Sequence, residues 1–174
     1  MNDLLNKLKK EDQFLLRLYK GIQILYWILI PVYTMFFVFA PDKELTLIER
    51  FGGGCAVIAF IIFVIIFRKR IKEQKSVDYS LPSVQMLEHA AERYKIWKPE
   101  IKWALLAVLI TDVGMVLLSY DEMKGLSPIM RILQIQYIFI PMIIVAILVG
   151  IFWWYKKHKP LRDHALELLE ELKS

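Results

Sequence analysis

Residues 51–67, FGGGCAVIAFIIFVIIF, carry no charge and end directly on Arg68, Lys69 and Arg70. At 1.5 Å rise per residue, about 17–25 apolar residues cross a hydrocarbon layer of roughly 30 Å. The stretch therefore predicts a membrane-spanning helix, and the basic block predicts that its far end stays in the cytoplasm. Three more apolar runs must be arranged around it, at 21–40, 103–120 and 132–155. The expected fold is an all-α integral membrane protein with four transmembrane helices in two hairpins, joined to cytoplasmic amphipathic helices.

Composition agrees. Apolar residues make up 57% of the chain, against about 45–50% in a soluble domain, and the excess is gathered into these four blocks. Positive charge lies beside the blocks, which predicts orientation and contact with anionic inner-leaflet lipid rather than with nucleic acid. Cys55 is the single cysteine, so no intramolecular disulfide can form.

Five segments follow. Residues 1–20 form an N-terminal amphipathic helix with Leu4, Leu8, Leu15 and Tyr19 near one face, expected to lie on lipid and run on into the first span. Residues 21–67 form the first transmembrane hairpin, with a kink expected at Pro31. Residues 68–102 are a cytoplasmic basic segment. Its helix is expected to begin near Ser80 or Ser83, with Pro82 in its first turn, and to end near Lys98, before Pro99. Residues 103–155 form the second hairpin, closed by Trp153, Trp154 and Tyr155 as an interfacial aromatic anchor. Residues 156–174 form a C-terminal cytoplasmic amphipathic helix. Each half thus reads as a hairpin, a basic exit and an amphipathic helix, which hints at duplication; Pro31 and Pro141, in the first and fourth spans, do not follow it.

Topology follows from counting. The two outer loops hold Lys43, Arg50, Lys124 and Arg131, four of the 23 Lys and Arg residues; the other nineteen lie in the N-terminal, middle and C-terminal segments. The positive-inside rule then places both termini and the middle segment in the cytoplasm, in a multi-pass protein of the plasma membrane.

Asp112 is the sharpest polar feature. A carboxylate at mid-span costs about 2.5–3.5 kcal/mol on insertion scales, so it should face other helices. By depth, its nearest polar candidates are Tyr33 and Thr34, with Thr111 beside it. Gln134, Gln136 and Tyr137 stand nearer the outer end of the fourth span, expected at headgroup level, with extension of a polar path from Asp112 as the alternative. Asp112, Thr34 and Tyr33 thus form the candidate intramembrane polar site. Gly52, Gly53 and Gly54 are candidates for close helix packing.

Catalytic, cofactor and metal sites are not expected. No P-loop, HExxH or GxSxG motif occurs. His89 and Glu92 are one ligand pair where a metal needs three or four, and His158 and His164 add to it only if the polar helices meet. The leading expectation is a non-enzymatic scaffold or regulator acting through its cytoplasmic helices, with a protein partner on that face or a second copy of the chain. The alternative is a small proton- or ion-coupled transporter or channel component centred on Asp112.

Overall fold

The computed structural model describes residues 2–39, 45–79, 83–120 and 125–173. Lys43, Ser80, Pro82 and Lys124 lie outside them. The described residues are helical, in six α-helices: α1 (Asn2–Tyr33), α2 (Leu47–Lys75), α3 (Ser83–Arg93), α4 (Glu100–Ser119), α5 (Pro128–Trp153) and α6 (Lys159–Lys173). Four stretches are long and apolar enough to cross a membrane: α1, α2, α4, and α5 with its continuation into α6.

Two of these are longer than expected. α1 passes residue 20 without a break, so the amphipathic helix and the first apolar run are one rod. Gly21 is the only weak helix former at that junction, and a single glycine does not stop a helix. α5 likewise continues into α6 through a π-helical turn, Trp154–His158, where Lys159 N–H bonds back to Trp154 O. Pro160 explains the wide turn: its ring crowds the carbonyl four residues earlier, and a widened turn relieves that clash. A second π turn, Thr34–Val38, follows Pro31. There Thr34 Oγ1 donates to Ile30 O at 2.7 Å, within its own helix.

α1 and α2 meet along an aromatic seam. Tyr19, Tyr26 and Tyr33 recur every seven residues and so share a face. Tyr19 packs on Phe67, Tyr26 on Phe60, Phe63 and Phe67, and Tyr33 edge-on to Phe60 at 5.1 Å. α2 and α4 form the most extensive pair, brought together by glycine. A methyl at Gly52 would lie 2.8 Å from Gly114 O, and one at Gly53 would lie 2.2 Å from Phe37 Cβ. Gly54 faces open space, so two of the three glycines pack and the third does not.

The hairpin ends repeat one device. Thr46 caps α2 by accepting from Glu49 N–H, and Ser127 caps α5 by accepting from Met130 N–H. Four residues beyond each cap stands an arginine. Arg50 Nη1 donates to Val38 O at 3.2 Å, and Arg131 Nη1 to Tyr120 O at 3.0 Å. Each arginine thus satisfies a carbonyl at the end of the preceding helix.

α5 stands apart. Ile135 and Phe139 pack against the other helices, but from Ile140 to Phe152 nearly every residue is exposed. Its far end returns to α1, where Trp153 stacks on Phe14 with ring centroids 6.3 Å apart.

The main apolar core lies at the polar end of the helices. Leu4, Leu8 and Leu15 of α1 pack with Met86, Leu87 and Ala90 of α3, with Tyr94, and with Ala165 of α6. The α1 stripe expected on lipid is therefore covered by protein. α3 also stops at Arg93, five residues short of the expected Lys98. At that point Arg93 and Tyr94 both bond to Asp12. We call this polar end of the helices the cap.

Candidate functional site

Asp12 lies on the apolar stripe of α1, four residues after Leu8, and is buried. Burying a carboxylate is tolerated only when its oxygens are fully partnered. Here Oδ1 accepts from Tyr94 Oη at 2.7 Å, and Oδ2 accepts from Tyr79 Oη at 2.6 Å and from Arg93 Nη2 at 3.2 Å. One acid on α1 therefore ties down the segments on both sides of α3. Burial, together with the Asp12 carboxylate, pushes both phenols well above their ordinary range. Sequence reasoning missed Asp12. Its signal was position: Leu4, Leu8, Asp12, Leu15 and Tyr19 fall on one helical face.

Trp154 and His158 close the same region from the α5–α6 rod. Trp154 Nε1 donates to Tyr94 O at 2.8 Å, so this tryptophan faces the cap rather than serving as the outward anchor expected of it. His158 Nε2 sits 3.4 Å from Glu11 Oε1, close enough for ion pairing. Neither atom has a hydrogen bond, so the two are misaligned for one.

A chain of ion pairs links α2 to the start of α4. Glu73 pairs with Arg70 and Lys98, and Glu100 pairs with Lys69 at 2.6 Å and Arg70 at 3.5 Å. Between this chain and Asp12 is a cavity of about 90 Å³. Arg70 and Gln74 of α2, Arg93 at the end of α3, Lys95 and Lys98 beyond it, and His158 line it.

In the apolar region, Asp112 Oδ1 accepts from Gln136 Nε2 at 2.6 Å, joining α4 to α5. The expected grouping of Asp112 with Tyr33 and Thr34 is not what the helices bring together. Tyr33 packs on Phe37 and Phe60, and the Thr34 and Thr111 hydroxyls bond to carbonyls of their own helices. Depth alone placed those candidates; the direction each helix faces decided otherwise.

Among the described residues, no three of His, Cys, Asp and Glu converge. His164 pairs with Glu167, apart from His158, and His89 borders a groove beside Glu92. Compared with protein-family models, with curated proteins and with solved structures, the chain matches none.

Proposed function

We propose that this is a multi-pass membrane protein with both termini and the cap in the cytoplasm. In this reading it works without catalysis, as a regulator or scaffold acting through the cap. The observation that carries the reading is continuity. All four apolar helices reach the cap: α1 at Asp12, α2 at Arg70 and Glu73, α4 at Glu100, and α5 through Trp154 and His158. A partner that shifts the cap therefore shifts the spans, and the reverse holds. The apolar stripes of α1, α3 and α6 are buried against one another, so a protein partner would read the polar outer face of the cap.

Two measurements test this. Reporter fusions after Lys43 and Lys124 should read as external, and fusions after Lys75 as cytoplasmic; a reversed result at either loop overturns the topology. Proteins that co-purify with the full chain in mild detergent should be lost when Asp12→Ala opens the cap, while membrane insertion persists. Retention of every partner by that variant would defeat the cap as the acting surface.

The transport alternative rests on Asp112 alone. The hydrogen bond to Gln136 supports a pin between two helices instead. Proteoliposome flux that Asp112→Asn abolishes would restore the transport reading.

A further inference from the structure

The cavity between Asp12 and the ion-pair chain has an unusual lining. Arg70, Arg93, Lys95, Lys98 and His158 border it, and among the described residues no carboxylate does. The acids that pair with these cations are not among the lining residues: Asp12 with Arg93, Glu73 and Glu100 with Arg70, Glu73 with Lys98, and Glu92 with Lys95.

One buried donor points to a missing acceptor. The Arg93 side chain is only 9% exposed. Its Nη2 is held by Asp12, yet its Nε is buried and hydrogen-bonds to nothing among the described residues. An unpaired buried N–H costs about 1–3 kcal/mol, and more on a charged group, so such groups normally have a partner. His158 Nε2 is buried nearby, 3.4 Å from the likewise unbonded Glu11 Oε1. Gln74 lines the cavity too; its Oε1 is buried without a hydrogen bond, and a flip of the amide exchanges that acceptor for the NH₂ donor.

We propose that this cavity binds the oxyanion of a phosphate group, with Arg93, Arg70 and Lys98 as its principal donors and Asp12 as the residue that positions the Arg93 guanidinium. Size agrees. On this measure a single water needs only about 10–15 Å³, so about 90 Å³ leaves room for a tetrahedral oxyanion. Guanidinium and ammonium groups together are the usual recognition set for phosphate. Burial already pulls the Lys98 ammonium below its ordinary range, and an incoming anion would relieve that.

The walls come from α1, α2, the turn after α3 and the α5–α6 junction. A bound anion would thus clamp elements that lead into different apolar helices. That regulatory meaning rests on the reading that the cap acts on the spans; the binding site itself does not. The phosphate could belong to a lipid headgroup at the membrane border or to a free phosphate ion.

The test uses the purified full chain, and its arms separate those sources. In detergent, thermal stability is followed with rising inorganic phosphate against chloride at equal ionic strength. In nanodiscs, phosphatidic acid is compared with phosphatidylcholine. Lys98→Gln and Arg93→Lys should each weaken the stabilisation by about tenfold or more in apparent affinity. Lys173→Gln, which removes a cation paired with Glu88 away from the cavity, should leave it unchanged. A variant-sensitive effect of inorganic phosphate identifies a free-ion site; one confined to phosphatidic acid identifies a headgroup site. If neither probe stabilises the chain, or if Lys173→Gln matters as much as Lys98→Gln, the site does not exist. That failure would leave the coupling of cap to spans standing, because partner retention by the Asp12→Ala variant tests the coupling separately.

Discussion

Gly52 and Gly114 pass backbone to backbone: a methyl on Gly52 would lie 2.8 Å from Gly114 O, and a methyl on Gly114 would lie 3.0 Å from Gly52 O. Each is the surface the other needs, and α2 and α4 pack closely because both lack a side chain there. Gly54 has nothing within 4 Å of where its methyl would go. Gly52→Ala and Gly114→Ala should each destabilise by about 1–3 kcal/mol through overpacking. Gly54→Ala should be neutral or stabilising by up to about 1 kcal/mol, because alanine is the better helix former. Thermal melting of the three variants in one detergent checks the contrast. Equal effects would mean that the glycines act through helix propensity and not through contact.

The Asp12 centre predicts a larger effect. Asp12→Asn keeps the shape but leaves the buried Arg93 guanidinium without its counter-charge, so it should cost about 3–5 kcal/mol. Arg93→Met on that background should recover part of the loss, since it removes the stranded cation. Denaturation of the single and double variants measures this. A double variant worse than Asp12→Asn alone would show that Arg93 is held by something other than Asp12.

Much of the architecture was readable because length and hydropathy report it directly. Four apolar runs of spanning length correspond to α1, α2, α4 and α5, and the Leu4, Leu8, Leu15 stripe is the side of α1 that becomes core. What was not readable depended on how helices turn toward one another. Depth along a helix does not say whether Asp112 meets α1 or α5, so Tyr33 and Thr34 were expected and Gln136 is the partner. Gly114, a single glycine in an apolar run, gave a weaker signal than the 52–54 triplet, yet it completes the contact. The core leucine stripe had room for an acid only because two tyrosines and an arginine arrive from 67 to 82 residues away.

Leu87 is fully buried in the cap, among Leu8, Ala90 and Ala165. Leu87→Ala should cost about 2–5 kcal/mol as a core cavity. Leu87→Glu should cost more, because it buries a charge without a partner. If Leu87→Glu melts like the native chain, α3 does not pack in the cap.

Alkaline pH should find the two phenols. Tyr79 and Tyr94 are both raised above the ordinary value of 10.0. The folded chain therefore keeps protons that the unfolded chain releases once pH passes 10. The stability these groups contribute is fully present below pH 10 and drains as pH rises above it toward the folded values. Melting temperature should show no loss from them up to about pH 10 and should fall beyond. Near-ultraviolet phenolate absorbance should show Tyr79 and Tyr94 among the tyrosines that ionise only as the chain unfolds. Tyr94→Phe should flatten part of the alkaline fall while lowering stability at neutral pH. Titration of every tyrosine with the chain still folded would contradict the buried Asp12 centre.

Asp112 and Gln136 are the one hydrogen-bonded side-chain pair recorded between the apolar parts of α4 and α5 among the described residues. Beyond Phe139, α5 makes few contacts until Trp153, so this bond and the Ile135 and Phe139 packing fix the helix at one end. Asparagine at 112 keeps the size and the carbonyl that accepts from Gln136, so Asp112→Asn should be nearly neutral in stability. Asp112→Leu removes the acceptor and strands the Gln136 amide. It should cost about 0.6–2 kcal/mol, the range found for hydrogen bonds between membrane helices. Gln136→Leu added to Asp112→Leu should recover most of that cost, because nothing polar is then left unpaired. Melting curves of the four chains form a double-mutant cycle whose coupling energy reads the bond itself. Zero coupling, or an Asp112→Asn variant as unstable as Asp112→Leu, would show that Asp112 is not held by Gln136 and does not pin α5 to α4.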